Sequence, residues 1–302
     1  MHRDGPKSVA LIARGTLLFS DMSMTSSEVQ TPATDIPMTS PCLRVTRAGL
    51  LNSDLAEALS RIDTIALSEL SAAALMDRSE NKFLLPAAAL PEVLRHLAPH
   101  YQVLTMQGQA VLPYRSLYLD TPDFALYYAH HNGRSHRYKV RFRSYEQTQT
   151  TFFEVKERQA TGRTVKTRAP EAMPAFPLQP VSQALLAQVP TDGQALEPKL
   201  WVNYHRITLV GRGQPERLTL DLGLEFQRPG DLHVQRAGDV VIVELKRASQ
   251  RQPSPFAVYA RAQGYRETRL SKYGVGCSLV YPLRKNAFKP QHLALARLLG
   301  VN

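Results

Sequence analysis

The chain has 302 residues and a formal net charge of +11, so it can bury a sizeable core and is expected to have an anionic partner: nucleic acid, a phosphate compound or a membrane surface. Its two cysteines, Cys42 and Cys277, exclude a disulfide scaffold and a cysteine-based zinc cluster; they suit a reducing compartment, which predicts a cytoplasmic protein. No apolar run approaches the roughly 20 residues needed to span a bilayer.

The first part of the chain combines an unstructured leader with short helices and one strand. Residues 1–44 are rich in Ser, Thr, Met and Pro and lack periodicity, which indicates a disordered leader or sequence upstream of the true start. Helical composition is found at 48–60 and 68–76, and residues 80–85 read as a strand that Pro86 closes. A short amphipathic helix is expected at 91–99, between two prolines.

The rest of the chain alternates strands with short turns and a few helices. Strands are predicted at 101–112 with a turn at Gly108, and then at 114–120, 137–143, 152–156, 166–168, 199–210, 217–226, 239–246 and 278–281. Helices are predicted at 123–130, 181–189, 255–263 and 291–299. We therefore divide the chain into the leader at 1–44, a main domain at 45–288 and a C-terminal helix at 289–302. The predicted fold class is α+β, with a closed or nearly closed antiparallel β-barrel and helices packed outside it.

Several of the predicted strands carry basic residues on one face. Because successive side chains of a strand point to opposite faces, Arg141 and Arg143 share one face, and Val140 and Phe142 share the other. The pattern returns at 240–246, where Glu244 and Lys246 alternate with apolar residues. For any single strand, a solvated face of an ordinary sheet is an equally good interpretation. Recurrence over many strands, with acids among the bases, favours a barrel lined with cations.

Nine short pieces of sequence, found in one order, carry a family resemblance. They are residues 75–83, 116–121, 139–143, 153–156, 166–168, 204–206, 217–221, 244–246 and 271–273. With these pieces the chain resembles the VTC domain family, the polyphosphate polymerase domain of the CYTH-like triphosphate tunnel metalloenzymes, as a bacterial-type stand-alone member. Glu80 stands where the bacterial sequences of the family commonly carry Asp, and the charge is kept.

The resemblance implies an antiparallel tunnel that binds a triphosphate or a longer phosphate chain together with Mn²⁺ or Mg²⁺. It also implies transfer of the γ-phosphate of ATP onto a growing polyphosphate, with release of ADP. The positions that match catalytic, phosphate-binding cations are Lys82, Arg141, Arg143, Lys156, Lys166, Arg206, Arg217, Lys246 and Lys272. Lys139, Arg168, Tyr204 and Ser271 match substrate-binding positions. Glu244 matches the metal carboxylate, and Glu154 is a second metal candidate.

The residue types suit this chemistry, because phosphoryl transfer depends mainly on positioning and electrostatic stabilisation, and Arg and Lys are the usual phosphate ligands. Some of these residues also have structural interpretations. Glu154 is as well explained as an internal ion-pair partner, Asp120 as the organiser of the turn that follows it, and Asp221 as a partner for a neighbouring Arg. His130 and His131 lack a third ligand at metal spacing, and a helix end explains them better.

Three functions remain open at this point. They are a polyphosphate polymerase, a metal-dependent triphosphate hydrolase and a non-catalytic polyphosphate-binding module. The expected partners are ATP and inorganic polyphosphate; nucleic acid is not expected, since Trp201 stands alone without clustered aromatics for stacking on bases. With no membrane helix and no SPX-like regulatory domain found in the sequence, the chain is expected either to need a separate membrane partner for translocation of a product or to act as a soluble enzyme.

Overall fold

The computed structural model describes residues 50–70, 79–172, 174, 176–213, 215–248 and 253–298. The predicted leader at 1–44 and most of the predicted helix at 68–76 lie outside these residues. The described parts contain eleven strands and seven α-helices. The strands are β1 (Thr64–Ala66), β2 (Ser79–Pro86), β3 (Tyr101–Thr105), β4 (Leu112–Asp120), β5 (Arg137–Tyr145), β6 (Thr150–Arg158), β7 (Thr164–Glu171), β8 (Glu197–Gly211), β9 (Glu216–Gln227), β10 (Val234–Arg236) and β11 (Val240–Arg247). The helices are α1 (Ser53–Ser60), α2 (Leu90–Leu97), α3 (Ala125–His131), α4 (Pro180–Leu186), α5 (Pro255–Ala262), α6 (Lys272–Val280) and α7 (Lys289–Leu298), and none of them is long and apolar enough to cross a bilayer.

All eleven strands belong to one sheet. Its main path runs β2-β11-β9-β8-β4-β5-β6-β7, and every neighbouring pair on that path is antiparallel. β3 pairs with β8 and, in parallel, with β1, while β10 pairs with β9. Within the described residues no hydrogen-bonded register joins β2 to β7, so the ladder itself does not close. The predicted α+β class with a mostly antiparallel sheet is confirmed.

The sheet is strongly curled. β2 and β6 are six steps apart along the path, which would separate them by about 29 Å in a flat sheet with strands roughly 4.8 Å apart. Burial alone would raise the pKa of Glu80 on β2, but nearby cations, which include Lys156 on β6, lower it below its ordinary value. Charges at 29 Å would be screened from each other, so these two side chains face each other at much shorter range. We call the face that carries them the inner face, and its opposite the outer face.

The outer face is covered by helices that bury the apolar half of each alternating strand. Val140 and Phe142 of β5 are fully buried there and belong to one cluster with Trp201, with residues of α4 packed against it. A second cluster joins the outer faces of β2, β9 and β11 to α1, α2 and α5. The predicted register of β5, with the arginines on one side and these apolar residues on the other, is confirmed.

One helix lies on the inner face, contrary to the prediction that the helices pack outside. Gly276 of α6 sits so close to the sheet that a Cβ atom would lie 2.7 Å from Leu200, which shares its face of β8 with Arg206. The strand predicted at 278–281 is also wrong, because α6 continues to Val280. Its two glycines allow close approach on different sides of the helix: Gly274 packs against Phe288, and Gly276 packs against Phe226 and Leu200. The helix thereby fits inside the curl as part of one apolar cluster.

Candidate functional site

The residues singled out from the sequence lie together. Strand alternation, cross-strand register and the contacts below place all of them on the inner face or at the first turn of α6. They are Lys82 on β2, Lys139, Arg141 and Arg143 on β5, Glu154 and Lys156 on β6, Lys166 and Arg168 on β7, Tyr204 and Arg206 on β8, Arg217 on β9, Glu244 and Lys246 on β11, and Ser271 and Lys272 at the start of α6. The common face was predicted correctly, and the individual roles stay predictions.

Glu154 holds the basic residues of β5 and β7. Its Oε2 accepts hydrogen bonds from Nε and Nη2 of Arg141 at 2.8 and 2.7 Å, and Lys166 pairs with its other oxygen. The side chain is 1% exposed. Burial alone would raise the pKa of Glu154, but the charges of Arg141, Arg143 and Lys166 bring it down to about 2. The carboxylate is therefore ionised and surrounded by cations, which supports the ion-pair interpretation over the metal one.

Asp221 does the same for β8 and α6. Its two oxygens accept from Nε and Nη2 of Arg206 at 2.6 and 2.8 Å, and Lys272 Nζ lies 2.6 Å from Oδ2. Burial alone would raise the pKa of Asp221, but the charges of Arg206 and then Lys272 bring it from 3.8 down to about 2. The sequence suggested an arginine partner for Asp221, but the second partner on α6 was not predicted. The Arg206 guanidinium also lies 4.9 Å from the ring centre of Tyr114 and 5.3 Å from that of Tyr204, within cation–π range.

Glu244 forms the third such centre. It pairs with Lys246 on its own strand and lies 3.7 Å from Lys82 of the neighbouring strand. Burial raises the pKa of Glu244, but Lys246 and Lys82 hold it well below its ordinary value. Glu80 also lies nearby, because the negative charge of Glu244 acts to raise the pKa of the Glu80 carboxyl. The described residues contain no group of three or more His, Cys, Asp or Glu side chains that could hold a metal ion, so a cation here would have to take its remaining ligands from elsewhere.

The first turn of α6 completes the site. Ser271 caps the helix by accepting a hydrogen bond from the Gly274 N–H at 3.1 Å, and its Oγ also accepts one from Lys139 Nζ at 3.0 Å. Burial and then the charge of Lys156 lower the pKa of Lys139 to about 7. α6 therefore brings a capped helix N-terminus, which favours anions, to the basic residues of β5.

Two tyrosines of β4 were missed by the sequence interpretation. Tyr118 accepts a hydrogen bond from Arg141 Nη1 at 2.9 Å, and Tyr114 stacks on Tyr204 with ring centres 5.5 Å apart. Both residues share the inner face of β4, so the same alternation that exposed the arginines would have found them. Asp120 has the structural role that the sequence suggested: it accepts N–H groups of Thr121, Leu126 and Tyr127 at 2.8 Å.

The arrangement suits a polyanion. Of the eleven lysines and arginines in the predicted set, seven are held by the carboxylates Glu154, Asp221 and Glu244. The bases outnumber the acids that hold them, so the inner face keeps an excess of positive charge. Positively charged side chains that are fixed in advance and partly shielded from water attract phosphate groups strongly and need little rearrangement to bind them.

The chain is similar to one known protein family and, more weakly, to solved structures. A candidate adenylate cyclase from Bacillus halodurans resembles the chain weakly, with 16% identity and a TM-score of 0.44 over 65% of this chain and 94% of that one. A candidate adenylyl cyclase from Hippeastrum, described as having a dominant triphosphatase activity, has 16% identity and a TM-score of 0.40 over 67% of this chain and 97% of that one. No curated protein matches the chain. The VTC domain matches residues 77–175 and 179–281, well over half of the sequence. The chain belongs to the VTC domain family.

Proposed function

We propose that the inner face binds the triphosphate of ATP beside a polyphosphate chain and that the protein transfers the γ-phosphate onto that chain, releasing ADP. The observation that carries this proposal is the convergence of lysines and arginines from five strands and α6 on one face, where buried carboxylates hold them in place. The reaction draws on ATP, in keeping with the cytoplasmic location expected from the cysteine content.

The protein's own residues would contribute mainly electrostatics and positioning. The transferring phosphoryl group spreads negative charge over its equatorial oxygens, and fixed cations stabilise that charge more than they stabilise the ground state. Arg141 and Arg206 have guanidinium groups that a carboxylate orients from one side, so their planes are set before a ligand arrives. Lys82, Lys246 and Lys272 add point charges whose carboxylate partners lie on the same face.

A divalent cation fits this site at Glu244. Mg²⁺ and Mn²⁺ take one or two protein carboxylates and fill the rest of their coordination with substrate phosphates and water. Glu244 is ionised, and Glu80 is a second carboxylate close by. When bound, such a cation would neutralise charge on the substrate phosphates. Glu154 is a poorer ligand, because its side chain is 1% exposed against 13% for Glu244 and because cations contact both of its oxygens closely, whereas Lys82 is 3.7 Å from the second oxygen of Glu244.

Incubation of the purified protein with ATP and Mn²⁺ tests the proposal. Polyphosphate, ADP and free phosphate would be measured in parallel, and polymer that accumulates with ADP is the expected result. Free phosphate without polymer would instead identify a triphosphate hydrolase. Tight polyphosphate binding without turnover would identify a binding module. A protein that neither binds polyphosphate nor consumes ATP would contradict the assignment of the inner face itself.

A further inference from the structure

Like charges lie directly opposite each other at one end of β5 and β6. In the register of this strand pair, Arg137 faces Arg158 and Lys139 faces Lys156. Side chains opposite each other in an antiparallel pair have Cβ atoms about 4.5–5.5 Å apart, and like charges there are destabilising. The next pair along the same face, Arg141 and Glu154, has opposite charges. In this strand pair the like-charge register involves four residues, Arg137, Lys139, Lys156 and Arg158, which we call the basic end. Like charges also face each other at Lys156–Lys166 and Arg217–Lys246, but there Glu154 holds Lys166 and Glu244 holds Lys246.

The basic end lacks the carboxylates that hold seven other inner-face cations. Within the described residues none of its four members forms an ion pair; Arg137 donates to the main-chain oxygen of Arg134 at 2.6 Å, and Lys139 donates to Ser271. Across the curl, Glu80 is close enough for the charge of Lys156 to lower its pKa, but that carboxylate is paired with Lys82. Burial and then the neighbouring cations lower the pKa of Lys139 to about 7, and burial and then Arg158 lower that of Arg137.

A histidine of α3 adds an unused polar group beside these cations. Both ring nitrogens of His130 are buried and have no hydrogen-bond partner. Burial lowers the pKa of His130 to about 2, and the charges that lower it further are led by Lys139 and Arg137. Buried imidazole nitrogens are usually paired, so a ring without partners next to uncompensated cations indicates that a ligand belongs there.

We infer that the basic end is a separate anion subsite, which takes the part of a polyphosphate chain that extends beyond a triphosphate held at Arg141, Arg143 and Arg206. This inference rests on the proposed function only in treating the inner face as a phosphate site. From Arg143 to Arg137 the inner face of β5 is about 20 Å long at 3.3 Å per residue, which exceeds the length of a triphosphate. Phosphate groups placed between the opposed cations would replace their repulsion with charge-assisted hydrogen bonds.

The ligand's length therefore separates the two regions. A tripolyphosphate can be satisfied by the carboxylate-held cations alone, whereas a long chain should contact both regions. Arg137 and Arg158 are the residues to change, because they lie farthest along β5 and β6 from the carboxylate-held cations. Neither of them is among the residues matched to the family's site. The matched control is the double variant Arg61→Ala/Arg261→Ala, which removes two positive charges outside the inner face, one from the residue that caps the C-terminus of α1 and one from α5.

The test compares dissociation constants for tripolyphosphate and for long-chain polyphosphate, by calorimetry, in wild type, Arg137→Ala/Arg158→Ala and the control. We expect the double variant to lose roughly 10- to 100-fold in affinity for the long chain, the range for one or two charge-assisted contacts, and to bind tripolyphosphate within about threefold of wild type. The control should bind both ligands like wild type. Without ligand, the double variant should unfold at the same temperature as wild type or above it, because it removes a like-charge pair.

Two results would overturn the subsite. Equal losses for both ligands would place Arg137 and Arg158 in the triphosphate site, and unchanged long-chain affinity would show that the basic end does not bind phosphate. The proposed activity fails separately: a protein that shows the chain-length difference but forms no polyphosphate from ATP keeps the subsite and loses the polymerase assignment.

Discussion

Asp221 is the residue whose loss should reveal most directly how the inner face is held together. Its carboxylate is 1% exposed and is the shared partner of Arg206 and Lys272. Replacing it by Asn keeps the shape of the side chain but removes the charge, so two buried cations from different elements are left facing a neutral amide. The fold should be destabilised, and the first turn of α6 should lose its electrostatic link to β9.

The size of the effect follows from the ion pairs. A pKa held at about 2 against an ordinary 3.8 corresponds to roughly 2 kcal/mol of favourable interaction with the ionised carboxylate. Breaking a buried ion pair from one side costs more, about 3–5 kcal/mol, since the remaining charges stay uncompensated. The amide can still accept one hydrogen bond, so we expect Asp221→Asn to lower the free energy of unfolding by about 2–4 kcal/mol. For a domain of this size, that corresponds to a fall of roughly 5–15 °C in Tm.

Thermal unfolding with and without tripolyphosphate measures this. A bound anion supplies negative charge to Arg206 and Lys272, so saturating tripolyphosphate should raise the Tm of Asp221→Asn more than that of wild type and narrow the gap. Glu57→Gln is the control, because it removes a carboxylate from an exposed pair with Arg61 that should contribute less than about 1 kcal/mol. A variant as stable as wild type would refute the account of Asp221, and a gap that tripolyphosphate leaves unchanged would refute the link between this ion pair and the ligand.

Three further predictions concern the same face. Glu244→Gln should nearly abolish turnover but keep the fold and most of the polyphosphate affinity, since the cations remain; turnover measured against Mn²⁺ concentration checks this, and a wild-type response would remove Glu244 from the metal site. Arg141→Ala should weaken polyphosphate binding by about 1.5–3 kcal/mol, and binding by wild type should fall steeply with salt; a salt-independent dissociation constant would count against a charged inner face. The pKa values of Glu154 and Asp221 are about 2 in the folded protein, against ordinary values of 4.5 and 3.8, so the stability that the two carboxylates contribute is complete above about pH 4.5 and is lost as the pH falls toward 2. Denaturant unfolding at several pH values should show this loss of stability, and a free energy of unfolding that stays constant over that range would contradict it.

The inner face of β5 could be predicted from the sequence because strand geometry leaves little choice. Side chains alternate with a period of two, and Val140 and Phe142 are apolar residues that favour burial, so Arg141 and Arg143 had to lie opposite them. The same reasoning placed Glu244 and Lys246 correctly on β11. What alternation supplies is the face of a residue, and it supplies nothing about the neighbours on other strands.

The rest depended on register and on contacts between distant parts of the chain. The sequence alone does not show that Arg137 faces Arg158, because the pairing of residues across β5 and β6 depends on the turn that joins the two strands. The end of α6 was wrongly predicted as a strand at 278–281, because a short apolar run that contains Val280 and Tyr281 is ambiguous between helix and strand. Its position inside the curl is decided by packing space against Phe226 and Leu200, which no local pattern records.

The place of α6 has a consequence for how the protein folds. Lys139 and Ser271 are 132 residues apart in the chain, and the Tyr273 hydroxyl donates to Asp120 across 153 residues. Contacts over such separations are slow to form, because the loop they close must be ordered before they contribute any stability. During synthesis the basic strands emerge well before the helix that fills the space between them. Until α6 docks, Lys139 lacks its contact with Ser271 and Asp221 lacks one of its two cationic partners, so the site is completed only by the last part of the chain to be made.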